Sequence, residues 1–255
     1  MRDATIEAVL HRERAVTLAG LVVLAGLAWL YLLRLGRETA GMAEMGMAQT
    51  APWTAIDALL AAAMWTVMMV AMMLPSAAPM VLVFVAVNRR RGGVRYLDTG
   101  VFVLAYLAVW TLVSVAAAGG EWGLNRAALL SDGLRAATPL IGGALLVAAG
   151  VYQLTPLKYA CLSRCQTPVG FLLSEWREGR RGALVMGARH GLFCVGCCWV
   201  LMALLFVGGV MNLAWVAAIA GFVLLEKLVS VGRLVTWSAG GALIGWGGFT
   251  LLRNL

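Results

Sequence analysis

The feature that most constrains this chain is the recurrence of apolar runs long enough to cross ~30 Å of hydrocarbon as helix. Such runs lie at approximately 15–35, 57–87, 99–118, 138–154, 190–209, 213–229 and 234–252. A segment immersed in lipid must satisfy its own backbone polar groups, so spans of this kind become helices. The pattern predicts an all-α, polytopic membrane bundle of about seven transmembrane helices, forming a single integral membrane domain over residues 1–255. Gly232 and Arg233 are almost the only break between the last two runs, which leaves six spans with a hairpin open. Composition points the same way, with 62% hydrophobic and 13% charged residues, against about 45–50% and 25% in soluble domains. A soluble enzyme, a secreted disulfide scaffold and a disordered regulator are thereby excluded. The first run is longer than a secretory h-region and lacks a small-residue cleavage site, so it reads as a span.

The chain carries a formal net charge of +8. Seven spans would place successive loops on alternate sides, and 15 of the 20 Lys and Arg residues then fall on one side. By the positive-inside rule that side is cytoplasmic, with the N-terminus inside and the C-terminus outside. The excess of cations is explained by orientation in a lipid bilayer, and no nucleic-acid partner is needed.

All five cysteines occur within 38 residues: Cys161 and Cys165 in "LKYACLSRCQTP", then Cys194, Cys197 and Cys198 in "HGLFCVGCCWVLM". Thr155-Pro156 has the form of a helix start, Thr at the N-cap and Pro at the first helical position. A helix from there puts Cys161 and Cys165 on one face, four residues apart. Cys194 meets Cys197 and Cys198 in the first turns of the fifth span. Both groups are expected at the cytoplasmic surface, where thiols stay reduced and stable disulfides are rare. Reduced cysteines grouped this way suggest soft-metal ligation, Cu(I) first and Zn(II) second. Small apolar packing residues are the alternative for scattered membrane cysteines. His190, expected at the helix start four residues before Cys194, could add a nitrogen ligand. His11 sits in a charged stretch without a partner.

Nine of the 13 methionines lie between residues 42 and 80. Met42, Met45 and Met47 fall in an expected outer loop. Met64, Met68, Met69, Met72, Met73 and Met80 form a ladder over half of the second span, at ~100° per residue. The thioether is a soft, neutral ligand for Cu(I), although methionine also fills apolar cores. Pro75 and Pro79 bracket "PSAAP" in the same span, and each removes a backbone donor. This span is expected to be broken there, with freed carbonyls lining a cavity or covered by neighbours. Glu226 and Lys227, near the cytoplasmic end of the sixth span, need pairing or a wet cavity; they compensate metal charge, carry a proton, or snorkel. The pairs Gly187/Gly191 and Gly241/Gly245 have the small-xxx-small form of close helix packing.

The segments "MMVAMMLPSAAPM", "YQLTPLKYACLSRCQTP", "FCVGCCWVLM" and "LLEKL", in this order over about residues 57–230, resemble a bacterial family of metal-binding integral membrane proteins. Members associated with copper supply to cuproenzymes such as tyrosinase are called copper chaperones. The resemblance implies metal handling, with copper as the metal, in a bacterial plasma membrane; it supplies no ligand set. The residues and the resemblance together suggest a non-enzymatic, copper-handling membrane protein. Outer methionines would capture Cu(I), the ladder would hold it at depth, and the cysteines would be the tighter sink. The metal would leave to a copper-accepting cuproenzyme or metallochaperone, and the chain could oligomerise in the membrane. Two rivals use the same cysteines: a membrane thiol-disulfide redox protein, and a non-catalytic membrane subunit with a structural Zn site.

Overall fold

The computed structural model describes residues 2–44, 54–91, 96–127, 129–131, 135–136, 138–229 and 232–254. The architecture is all-α. Among the described residues, ten helices follow in order: α1 (Arg2–Glu44), α2 (Ala55–Arg90), α3 (Tyr96–Arg126), α4 (Pro139–Gln153), α5 (Pro156–Gln166), α6 (Pro168–Glu175), α7 (Gly179–Ala203), α8 (Leu205–Gly208), α9 (Leu213–Leu228) and α10 (Gly232–Arg253). A two-residue antiparallel pairing, Leu130–Ser131 with Arg135–Ala136, interrupts the helices between α3 and α4.

A helix stands at each of the seven expected places, but not every one is by itself long and apolar enough to cross a membrane. Among the described residues, four stretches are long and apolar enough to cross a membrane: Arg12–Thr39, Ala55–Arg90, Tyr96–Arg126 and Gly179–Gly208. A fifth exists if α4 and α5, bent by 65° at their junction, count as one broken span. Helix α4 alone has 15 residues, about 22 Å of rise, and α9 has 16, about 24 Å, both short of ~30 Å.

Helix α2 is the centre of the bundle, with α1, α3 and α9 packed around it. Its start is set by a capping box. Thr54 Oγ1 accepts from the Asp57 backbone N–H, while the Asp57 carboxylate accepts from Thr54 N; two orphan donors are thus satisfied reciprocally. The expected break at Pro75 and Pro79 is corrected: α2 runs unbroken through both prolines. Pro75 has no N–H for the carbonyl four residues back, that of Ala71, and the indole of Trp29 on α1 donates to this oxygen at 3.1 Å. A neighbouring helix has replaced the lost bond, which removes the reason to unwind. Two ion or hydrogen-bond links set the helix directions. Arg89 at the end of α2 meets Glu13 near the start of α1 at 2.6 Å, and Trp65 Nε1 near the start of α2 donates to Glu121 near the end of α3 at 2.6 Å.

Close crossings depend on glycine only in part where the spacing suggested. A Cβ at Gly187 would run into the Phe102 carbonyl of α3, and one at Gly191 would stand 2.9 Å from Val109, so this pair sets the α3–α7 approach. Gly241 and Gly245 face open space. Helix α10 instead meets α4 through Gly240 and Gly247, which oppose the backbone of Gly150 and Gly143.

A buried sulfur cluster and its flanking charges

Helix α5 begins as expected: Thr155 is its N-cap, its hydroxyl accepts from Lys158 N at 3.3 Å, and Pro156 is the first helical residue. Cys165 faces inward and is buried, while Cys161 is partly exposed. Helix α7 starts at Gly179, well before the expected start at 190, because Ala183, Met186 and Gly187 already pack inward. Two expectations are corrected by this. His190, Cys194, Cys197 and Cys198 lie in mid-helix, and Cys194, Cys197 and Cys198 are buried inside the bundle, where a surface position was expected.

The two cysteine groups converge. Cys165 on α5 shares one buried cluster with Cys194 and Cys197 on α7, and Cys161 Sγ lies against Gly196, where a Cβ would stand 2.6 Å from it. The thiols of Cys197 and Cys198 donate to the Cys194 carbonyl at 3.1 and 3.0 Å. Cys198 Sγ is also 3.9 Å from Met73 Sδ on α2. The cluster is therefore built by three helices that approach from different parts of the chain.

All six ladder methionines are buried, Met73 completely. Met64, Met68, Met69, Met72 and Met73 share one apolar cluster with Cys165, Cys194, Cys197 and Cys198. Met80 belongs to a second cluster with Phe84, Phe102, Phe171 and Met186. Met42 falls in the last turns of α1, not in a loop; its side chain, together with Met45 and Met47, lies outside the described residues, as does the side chain of His11. His190 is buried between the rings of Tyr106 (5.5 Å) and Phe102 (6.2 Å) and edge-on to Phe171 (5.7 Å). Its Nδ1 finds no hydrogen-bond partner among the described residues.

Glu226 and Lys227 do not pair with each other. Consecutive residues on a helix point ~100° apart, so each reaches a different neighbour. Lys227 Nζ donates to Cys194 Sγ at 2.9 Å and to Ser76 Oγ at 2.8 Å. Ser76, from the segment between the prolines, donates onward to the Met73 carbonyl at 2.8 Å. Tyr106 Oη lies 3.2 Å from both Cys194 Sγ and that same carbonyl. Glu226 turns the other way. Lys158 Nζ stands 2.8 Å from both of its oxygens, and Gln153 Nε2 (3.2 Å) and Thr236 Oγ1 (3.1 Å) donate to Oε1. Gln153 also accepts from Lys158. A buried ion pair survives when further hydrogen bonds meet its remaining lone pairs and protons, and this one has them.

Sequence reasoning did not single out Ser76, Tyr106, Gln153, Lys158 or Thr236. Lys158 and Lys227 had been counted among the cations of the basic side, yet both are buried. The one signal was a serine placed between two prolines in an otherwise apolar span.

Chemically the site gathers soft donors into one buried cluster, with Cys198 and Met73 in direct contact. Among the described residues, no group of three or more His, Cys, Asp or Glu side chains is arranged to hold one ion. Two metal–sulfur bonds of about 2.3 Å span about 3.8 Å at a tetrahedral angle and about 4.6 Å when collinear, so the 3.9 Å between Cys198 and Met73 admits a bridging soft ion with little movement. No curated protein and no solved structure matches the chain. A family of copper chaperones, PpoB2, matches residues 62–250. That segment contains every cysteine, all six ladder methionines and both halves of the charged network. The chain thus belongs to the PpoB2 copper chaperone family, and copper handling is the function this membership indicates.

Proposed function

We propose that the protein is a membrane carrier of Cu(I) that holds the ion on Cys194, Cys198 and Met73, with Cys165 and Cys197 as adjoining donors, and yields it to a copper-accepting protein by ligand exchange. The observation that carries this reading is the contact of a thiol with a thioether at 3.9 Å, deep in the bundle. Thiolate and thioether are the donors that select Cu(I) over hard cations. The buried methionines Met64, Met68, Met69 and Met72 continue the soft surface along α2 from that point. Thiolates bind Cu(I) more firmly than thioethers, so an ion reaching Met73 gains by moving on to Cys198. The direction of passage follows from orientation. If the seven spans read from the sequence hold, the basic side faces the cytoplasm and the segment of Met42, Met45 and Met47 the outside, and passage runs inward across the plasma membrane.

The test is anaerobic Cu(I) titration of the full-length protein in detergent. The wild-type chain retains stoichiometric Cu(I), Cys194→Ser/Cys198→Ser loses it, and Met73→Leu weakens binding about tenfold, or about 1.4 kcal/mol. Unaltered copper binding in a variant with all five cysteines changed to Ser overturns the proposal.

A further inference from the structure

The donors of the sulfur cluster are buried too deeply to meet a second protein. Cys194 and Met73 are 0% exposed, Cys198 1%, Cys197 2% and Cys165 7%, so an ion on them is out of reach of a recipient's ligands. Cys161 differs from them. It is partly exposed, yet it packs against the same cluster. It stands one turn from Cys165 on α5, and its Sγ rests on α7 at Gly196, the residue before Cys197. Only a missing side chain allows this seat, because a Cβ at 196 would stand 2.6 Å from the sulfur. Tyr152, at the end of α4, donates to the Gly196 carbonyl and fixes α7 at that point. Arg164, on the next turn of α5, and Thr167 beyond it are exposed. A charged side chain is costly in hydrocarbon, so this end of α5 stands in water or among headgroups.

We propose that Cys161 is the transfer thiol of the carrier, the cysteine that takes the ion from the buried donors and presents it to the recipient. This rests on the copper-carrier reading and adds the point of exit. The step is associative ligand exchange. The Cys161 S–H bond breaks as a Cu–S bond forms, and its proton leaves to solvent. The bond from copper to one inner cysteine sulfur breaks, and that sulfur takes up a proton. A donor of the recipient then bonds to copper, the bond to Cys161 breaks, and Cys161 regains a proton. Copper stays Cu(I) throughout, and no oxidant or reductant takes part. Each new bond forms as an old one breaks, so the ion is never bare inside the bundle, where an uncompensated charge is expensive. Without Cys161, release must wait for α5 to move off α7 and open the buried sulfurs, and a local opening of packed helices costs free energy.

The experiment loads the full-length protein with Cu(I) in detergent under anaerobic conditions. Stopped-flow absorbance then follows capture of the ion by bathocuproine disulfonate, a chelator too large and too charged to enter the bundle. In the wild type the rate is expected to rise with chelator concentration, as associative exchange at the surface requires. In Cys161→Ser it is expected to fall at least about tenfold and to lose that dependence, since local opening then limits release. The equilibrium Cu(I) affinity is expected to hold, because every buried donor is retained. Gly196→Ala keeps the thiol but pushes it off α7, and is expected to slow capture in the same way. Capture at the wild-type rate in Cys161→Ser or in Gly196→Ala overturns the role of Cys161 and leaves the carrier reading standing. So does a wild-type rate independent of chelator. An affinity that falls in step with the rate makes Cys161 a resident ligand like the others, which also overturns the inference. A wild type that binds no Cu(I) overturns both readings.

Discussion

Replacing Lys158 by Met tests whether the buried charged network behaves as the geometry requires. Lys158 is fully buried and is the only cation bonded to Glu226 among the described residues. Lys158→Met leaves the carboxylate with two neutral donors, Gln153 and Thr236, in place of an ammonium on both oxygens. Breaking a buried pair from one side costs about 3–5 kcal/mol. At about 2–4 °C per kcal/mol for a chain of this length, the melting temperature should fall by about 6–20 °C. The protein supplies its own reporter, since Cys165, Cys194, Cys197 and Cys198 are buried and free. A maleimide dye that fluoresces on reaction will read their exposure as the detergent-solubilised protein is heated. The double variant Lys158→Met/Glu226→Gln removes both charges together and should recover most of the loss, because a neutral replacement of an ion pair is close to even in energy. A Lys158→Met melt indistinguishable from wild type refutes the reasoning. So does a double variant no more stable than the single one.

Three further outcomes follow from the helix contacts. Trp29→Phe should cost about 1–3 kcal/mol, since the Ala71 carbonyl loses its donor; in a Pro75→Ala background, where a backbone N–H returns, the same change should be nearly silent, a coupling that a double-mutant cycle measures. Gly187→Ala should lower the melt by about 1–3 kcal/mol equivalent, because its Cβ meets the Phe102 backbone, while Gly241→Ala should stay within about 0.5 kcal/mol of wild type. In the folded protein, a small maleimide should label Cys161 well before the other four cysteines, as read by mass spectrometry of a timed quench.

Much of the local structure was open to inspection in the linear chain. The places of the helices, the start of α5 at Thr155-Pro156 and the shared face of Cys161 and Cys165 all follow from short-range rules of capping, periodicity and lipid solvation. The concentration of cysteines and the methionine ladder likewise pointed to soft-metal chemistry, and family membership over residues 62–250 agrees with it. These features need only a residue and its near neighbours in sequence.

Other features needed partners that lie far off in the chain. The unbroken course of α2 through Pro75 depends on an indole 42 residues or more away, on α1. Glu226 and Lys227 looked like a pair, but helix geometry splits them between Lys158 and Cys194, 68 and 33 residues distant. The contact of Cys198 with Met73 spans 125 positions. Sequence alone determined that this is an apolar, all-helical chain rich in soft sulfur, because hydropathy and side-chain chemistry are properties of the residues themselves. Tertiary structure decided which sulfurs meet and which lysine stands beside them, because packing, and not spacing, brings helices α2, α5, α7 and α9 to one point.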